Sequence, residues 1–146
     1  MTVSMPKVFF ADVREAYTEL AERLGLEGPV ETEQVLPVST YTRGAVGYRI
    51  YLDMSEGGSL RTAAGLRTPD IWFTVGIEKL AIAAGVVDKR GTVSYSARNL
   101  KQMKKSLVGQ RAFVEPLHPL LCDDPESAVR LLRKAGAREW SLRPEE

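Results

Sequence analysis

The chain has a single cysteine, Cys122, and a single histidine, His118. A lone thiol makes no internal disulfide, and a CxxC metal or redox pair is excluded. Such cysteine usage fits a reducing compartment. No apolar run is long enough to cross a bilayer, and the longest, around Leu80–Val87, is short and rich in alanine. The opening residues, MTVSMPKVFF, lack a basic segment followed by a long apolar stretch, so no signal peptide is expected. These absences predict a soluble, cytoplasmic protein with no membrane partner. Neither GxGxxG nor the phosphate-loop pattern GxxxxGK occurs. Repeats and low-complexity tracts are also missing.

The most informative absence is of one charge sign. Between Asp88 and Glu115 there is no acidic residue, but there are seven basic ones: Lys89, Arg90, Arg98, Lys101, Lys104, Lys105 and Arg111. Residues 1–88 hold twelve Asp/Glu against eight Lys/Arg, and residues 115–146 hold seven against five. The formal net charge of +1 therefore hides a local asymmetry. A single-sign patch attracts phosphate or an acidic protein surface.

What is present reads as an ordinary globular domain. The 146 residues, 44% hydrophobic and 27% charged, fit one domain over 1–146 that needs no covalent staple. Val8–Ala11 reads as a short strand. Asp12 then reads as an N-cap, with Glu15 as its capping-box partner. Val13, Ala16, Tyr17, Leu20, Ala21 and Leu24 form one helical face, stopped at Gly25. Val35–Arg43 and Tyr48–Met54 read as a hairpin around Gly44-Ala45-Val46-Gly47. Ser55–Pro69 reads as a loop and Ile71–Val75 as a strand.

A second helix over Ile77, Leu80, Ala81 and Ala84 is expected to end at Gly85. Ser96 is expected to cap a third helix, residues 96–108, with Leu100, Met103 and Leu107 facing inward and Gly109 as its stop. Arg111–Leu117 reads as a strand. Asp124 and Pro125 open a fourth helix that Gly136 closes. Arg138–Leu142 is a last strand anchored by Trp140. The expected fold is α+β: one compact domain, a mixed or mainly antiparallel sheet, and about four helices packed on it.

The basic helix is the leading candidate for a binding site. Arg98, Lys101, Lys104 and Lys105 fall on neighbouring surface positions, where spaced cations suit a phosphate backbone. Lys89, Arg90 and Arg111 extend the set. Ser94, Tyr95, Ser96, Asn99 and Gln102 could add hydrogen bonds. The stretch Leu80–Val86, then Thr92-Val93-Ser94, then Asn99, resembles a helix-turn-helix of the repressor type. The stretch from Gly85 to Thr92 is two residues longer than that motif's tight turn, so a loop joining two core helices is the better reading. A second surface is offered by the hairpin, where Tyr41, Arg43, Arg49 and Tyr51 could stack and pair with unpaired bases, as could Tyr95. A one-residue slip would put Tyr41 and Tyr51 on opposite faces. Gly57-Gly58, Arg61, Gly65 and Arg67 carry anion-cradling residue types without a phosphate-loop order.

No catalytic residue, cofactor or metal is assigned. His118 and Cys122 lie four residues apart, but Pro116 and Pro119 are expected to break any helix aligning them, and the nearby acids to raise the thiol pKa. Asp123 and Asp124 read as capping residues rather than metal ligands. The expected function is a small non-enzymatic nucleic-acid-binding or regulatory protein, with DNA or RNA as partner. The alternative is a small adaptor or inhibitor, of the kind phages encode, docking on an acidic surface of a transcription or replication protein. A third class is an enzyme whose scattered site leaves no motif. The sequence does not set the oligomeric state.

Overall fold

A computed structural model describes residues 5–91 and 93–142 of the chain. Its first element, helix α1 (Met5–Leu24), starts well before Asp12. The expected strand at Val8–Ala11 is therefore helical, and Asp12 is an interior residue. The reason is packing: Phe9, Val13, Tyr17 and Leu20 are all buried, so Phe9 extends the apolar face one turn toward the N-terminus. Gly25, at φ 70°, ends the helix as expected.

Six strands follow the order of the chain across one open, wholly antiparallel sheet: β1 (Glu27–Thr32), β2 (Val38–Arg43), β3 (Val46–Asp53), β4 (Ser59–Arg67), β5 (Ile71–Gly76) and β6 (Arg138–Ser141). Between β5 and β6 the chain makes α2 (Ile77–Ala83), α3 (Leu100–Cys122) and α4 (Pro125–Lys134). The α+β expectation with about four helices is met. The segment expected to be a loop, Ser55–Pro69, holds only a short 3₁₀ turn at Ser55–Gly57 before becoming β4, a central strand. Leu60, Thr62, Ala64 and Leu66 point into the core, and Arg61 and Arg67 point out. β1, which contains Gly28 and Pro29, was also not foreseen.

Helix α3 differs most from expectation. It starts one turn late, with the Asn99 side chain accepting from the Gln102 N–H at 2.9 Å, and it runs through Gly109, Pro116 and Pro119. The strand expected over Arg111–Leu117 is helical. Both prolines are on exposed positions, while Phe113, Val114, Leu117 and Leu121 are buried. Burial of several large side chains, about 1.5–3 kcal/mol each, outweighs the roughly 3 kcal/mol that an interior proline costs. Asp124 and Pro125 open α4 as read from the sequence, and Gly136 follows its end at φ 78°.

All four helices cover one face of the sheet. Tyr41, Tyr48, Ile50, Leu52, Leu60, Ala64, Leu66, Phe73 and Val75 supply that inner face, and α1 and α3 lie across it. The Tyr17 ring stacks on Tyr41 with centroids 5.0 Å apart and planes 15° apart. Buried Gln110 of α3 donates to the carbonyls of Leu60 (2.8 Å) and Ser94 (2.9 Å), tying helix, sheet and the incoming 93–99 segment together. Among the described residues no helix lies across the other face, which the start of α2 borders at one end.

Candidate functional site

Pairing register fixes what the uncovered face presents, because directly paired residues share a side. Tyr51 pairs with Val38 and Arg61, and Arg49 pairs with Thr40 and Ala63. Gly65 pairs with Gly47 and Thr74, and Arg67 pairs with Trp72. Trp140 pairs with Trp72, and Arg138 with Thr74. The face therefore combines four exposed arginines, Arg49, Arg61, Arg67 and Arg138, with Tyr51, Trp72 and Trp140. Among the described residues none of these arginines forms a salt bridge. Among the described residues, carboxylates stand at its rim and, as Glu78, at its α2 end. Glu27 is on the edge strand, and Asp53 closes β3, where its Oδ1 accepts from the Ser55 N–H (2.9 Å) and hydroxyl (2.6 Å).

The middle of the floor is built from small residues. Gly47, Gly65, Ala63 and Gly76 occupy its middle. The Trp72 indole lies over Gly65, so close that a β-carbon there would come within 2.5 Å of the ring. The Arg67 guanidinium sits 5.9 Å from the Trp72 centroid. Trp140 is 55% exposed, so it is a surface residue rather than the expected core anchor.

Two contiguous hollows run across this face and share Tyr51, Ala63 and Thr74. One, of about 440 Å³, is walled by Gln34, Val35, Leu36 and Val38. The other, of about 710 Å³, is walled by Arg61, Lys79, Arg90, Tyr95 and Arg138, with Glu78 at its base. The 93–99 segment forms this second wall. Ser96 makes a β-bridge to Ser59, and the Leu60 N–H donates to the Tyr95 carbonyl at 2.8 Å. Tyr95 in turn donates its hydroxyl to Glu78 at 2.9 Å and packs its ring 4.9 Å from the Arg61 guanidinium. Burial and the Glu78 carboxylate raise the Tyr95 pKa to about 12.

The fold separates the seven cations of the acid-free stretch. Arg90 lines the sheet hollow, and Lys89 is exposed on the same loop. Arg98 lies over the turn at Gly57. Lys101, Lys104 and Lys105 are exposed on α3, whose buried side faces the core, so they point away from the open sheet face. Lys104 is also 4.0 Å from Glu15 of α1, and neighbouring Arg23 pairs with Glu115. Arg111 donates to the Ala16 carbonyl at 2.7 Å and serves as a clasp between α1 and α3. The helix-turn-helix does not form: residues 93–99 are not helical, and Thr92 lies outside the described residues.

Of the stacking candidates, Tyr51 and Tyr95 reach the open face, whereas Tyr41 is 2% exposed and lies in the core on Tyr17. Tyr41 and Tyr51 are on opposite faces of the sheet. Arg43 follows Tyr41 to the helix side and donates to the Leu24 carbonyl at 2.6 Å.

Helix α3 does align His118 with Cys122, contrary to the expectation from its prolines. Sγ lies 3.4 Å from Nε2, and the Tyr48 hydroxyl shares a 2.6 Å hydrogen bond with Nδ1. Burial, assisted by Arg43, lowers the His118 pKa. Burial, assisted by Asp123, raises that of Cys122. Both shifts favour the neutral pair, the reverse of the thiolate–imidazolium state a nucleophile needs. Among the described residues no cluster of three or more His, Cys, Asp or Glu could hold a metal, and no helix is long and apolar enough to cross a membrane.

No protein-family model, curated protein or solved structure matches this chain.

Proposed function

We propose that this is a small, non-enzymatic, cytoplasmic nucleic-acid-binding protein, and that its binding surface is the open sheet face rather than the basic helix. The supporting observation is that four arginines, none in a salt bridge among the described residues, and three aromatic rings share one uncovered face. Arginines suit phosphates, and the rings suit bases. Association of two copies through the same face would set arginine against arginine, which disfavours a symmetric dimer there. Arg90, from the acid-free stretch, and Arg138 extend the cationic lining on the side of the second hollow.

The test is the affinity of the intact chain for random-sequence nucleic acid across a salt series. Roughly four phosphate contacts predict that log K falls with log salt at a slope of about −3 or steeper. Replacing Arg49, Arg61 and Arg138 together by alanine should flatten that slope by about 2. Absence of binding at low salt would overturn the reading. Capture of an acidic protein through the same arginines would then put the regulatory-adaptor class in its place.

A further inference from the structure

We infer that the ligand of the sheet face is a single strand with unpaired bases, and that the trough excludes duplex. This rests on the nucleic-acid reading above and adds the form of the strand. The two hollows differ in chemistry while sharing a floor. The one beside Gln34–Leu36 is walled by Val35, Leu36 and Val38, with Arg49 as its one cation and Tyr51 at the junction. The one beside α2 is walled by Arg61, Lys79, Arg90 and Arg138. A slot with an aromatic ring, an apolar wall and one arginine, adjoining a slot with four cations, is the chemistry of a nucleobase beside its phosphates.

The floor favours a close approach. Ala63 in both hollows and Gly76 in the second carry a methyl group or no side chain, so a strand can lie near the backbone there, while the Trp72 indole covers Gly65. The walls work against a duplex. The 34–36 loop rises on one side, and α2 with the 93–95 segment rises on the other, with Tyr51 between them. A duplex keeps the faces of its bases stacked inside and shows only phosphates, sugars and base edges, so no base could stack on the Tyr51 ring.

A second aromatic station lies at Trp140. Its row on the sheet is that of Arg67, whereas the row of Tyr51 is that of Arg61. Six residues along β4 separate the rows by about 20 Å. Both stations can be filled only by a strand of several nucleotides, and a mononucleotide fills one at most.

The experiment compares a single-stranded oligothymidylate of about ten nucleotides, the same strand in duplex with oligoadenylate, and thymidine monophosphate. Fluorescence anisotropy reads affinity, and tryptophan quenching reads stacking. The single strand should bind at least about tenfold more tightly than the duplex, and the monophosphate far more weakly than either. Tyr51→Ala should weaken the single strand about tenfold, and Tyr51→Phe should restore it. Trp140→Ala should remove most of the quenching. Equal affinity for duplex and single strand would overturn this inference while leaving nucleic-acid binding intact. Binding to neither form at low salt would instead overturn the functional reading itself. Because the wild-type comparison needs no variant, the outcome does not depend on how the substitutions fold.

Discussion

At position 118 the imidazole lies among Tyr48 of β3, Cys122 and Asp123 at the end of α3, and Arg43 at the end of β2. Burial and the Arg43 charge lower its pKa from 6.5, and Asp123 and the Leu24 carbonyl oppose the shift only in part. The unfolded chain therefore takes up this proton more readily than the native one. Stability should be complete above about pH 6.5 and should fall as the pH drops from there toward the depressed native value. Glu31, Asp53, Glu115 and Asp124 are shifted downward by their hydrogen bonds and act in a separate window, below the ordinary carboxylate range. Denaturant midpoints measured between pH 7 and about 5 should decline for the native chain and stay level for His118→Gln. A level profile for the native chain would contradict the buried, neutral histidine. The same neighbourhood shows how a sequence can mislead: Pro116 and Pro119 suggested a break, yet the helix is held across them by Leu117 and Leu121, whose partners are distant in the chain.

At the level of elements, β4 decides the site, and it was the least legible strand. Its sequence, SLRTAAGLR, is small and polar enough to read as a loop. Its alternation is nonetheless period two, with Leu60, Thr62, Ala64 and Leu66 against Arg61, Ala63, Gly65 and Arg67. Small residues are there because the helices crowd the inner face and the Trp72 ring covers Gly65 on the outer one. Gly65→Ala should push the Trp72 ring off the floor, costing about 1–3 kcal/mol and shifting tryptophan emission toward that of a hydrated ring. Unchanged stability and emission would show that the ring is not bedded there. By contrast, α2, α4, β5 and the β2–β3 hairpin were legible, because caps, turn glycines and apolar periodicity agreed with the tertiary packing. Arg49 and Tyr51 were legible as a pair, since they lie on one strand two residues apart. Trp72, Trp140 and Arg138 were not, because only strand order and register bring β5 and β6 beside Arg67.

Over the whole molecule, the charge asymmetry that dominates the sequence is redistributed by the fold. The acid-free stretch is contiguous in sequence and divided in space. Arg90 joins the sheet trough, Arg111 clasps α1, and Lys101, Lys104 and Lys105 face outward beside the acidic side of α1. Cations scattered through the acidic first half, Arg49, Arg61 and Arg67, converge with Arg138 on the open sheet. A basic count along the chain therefore located a charged region without locating the charged face. The two surfaces lie on opposite sides of the molecule, so one ligand cannot use both, and they can be tested against each other. The deciding measurement is the affinity of two variants for one labelled single-stranded oligonucleotide at low salt, Arg49→Ala/Arg61→Ala on the sheet and Lys101→Glu/Lys104→Glu/Lys105→Glu on α3, each confirmed as folded by circular dichroism. The sheet variant should lose about a hundredfold in affinity, and the helix variant, whose charge change is larger but distant, should lose less than about tenfold. Loss of binding in the helix variant with the sheet variant unaffected would contradict the account.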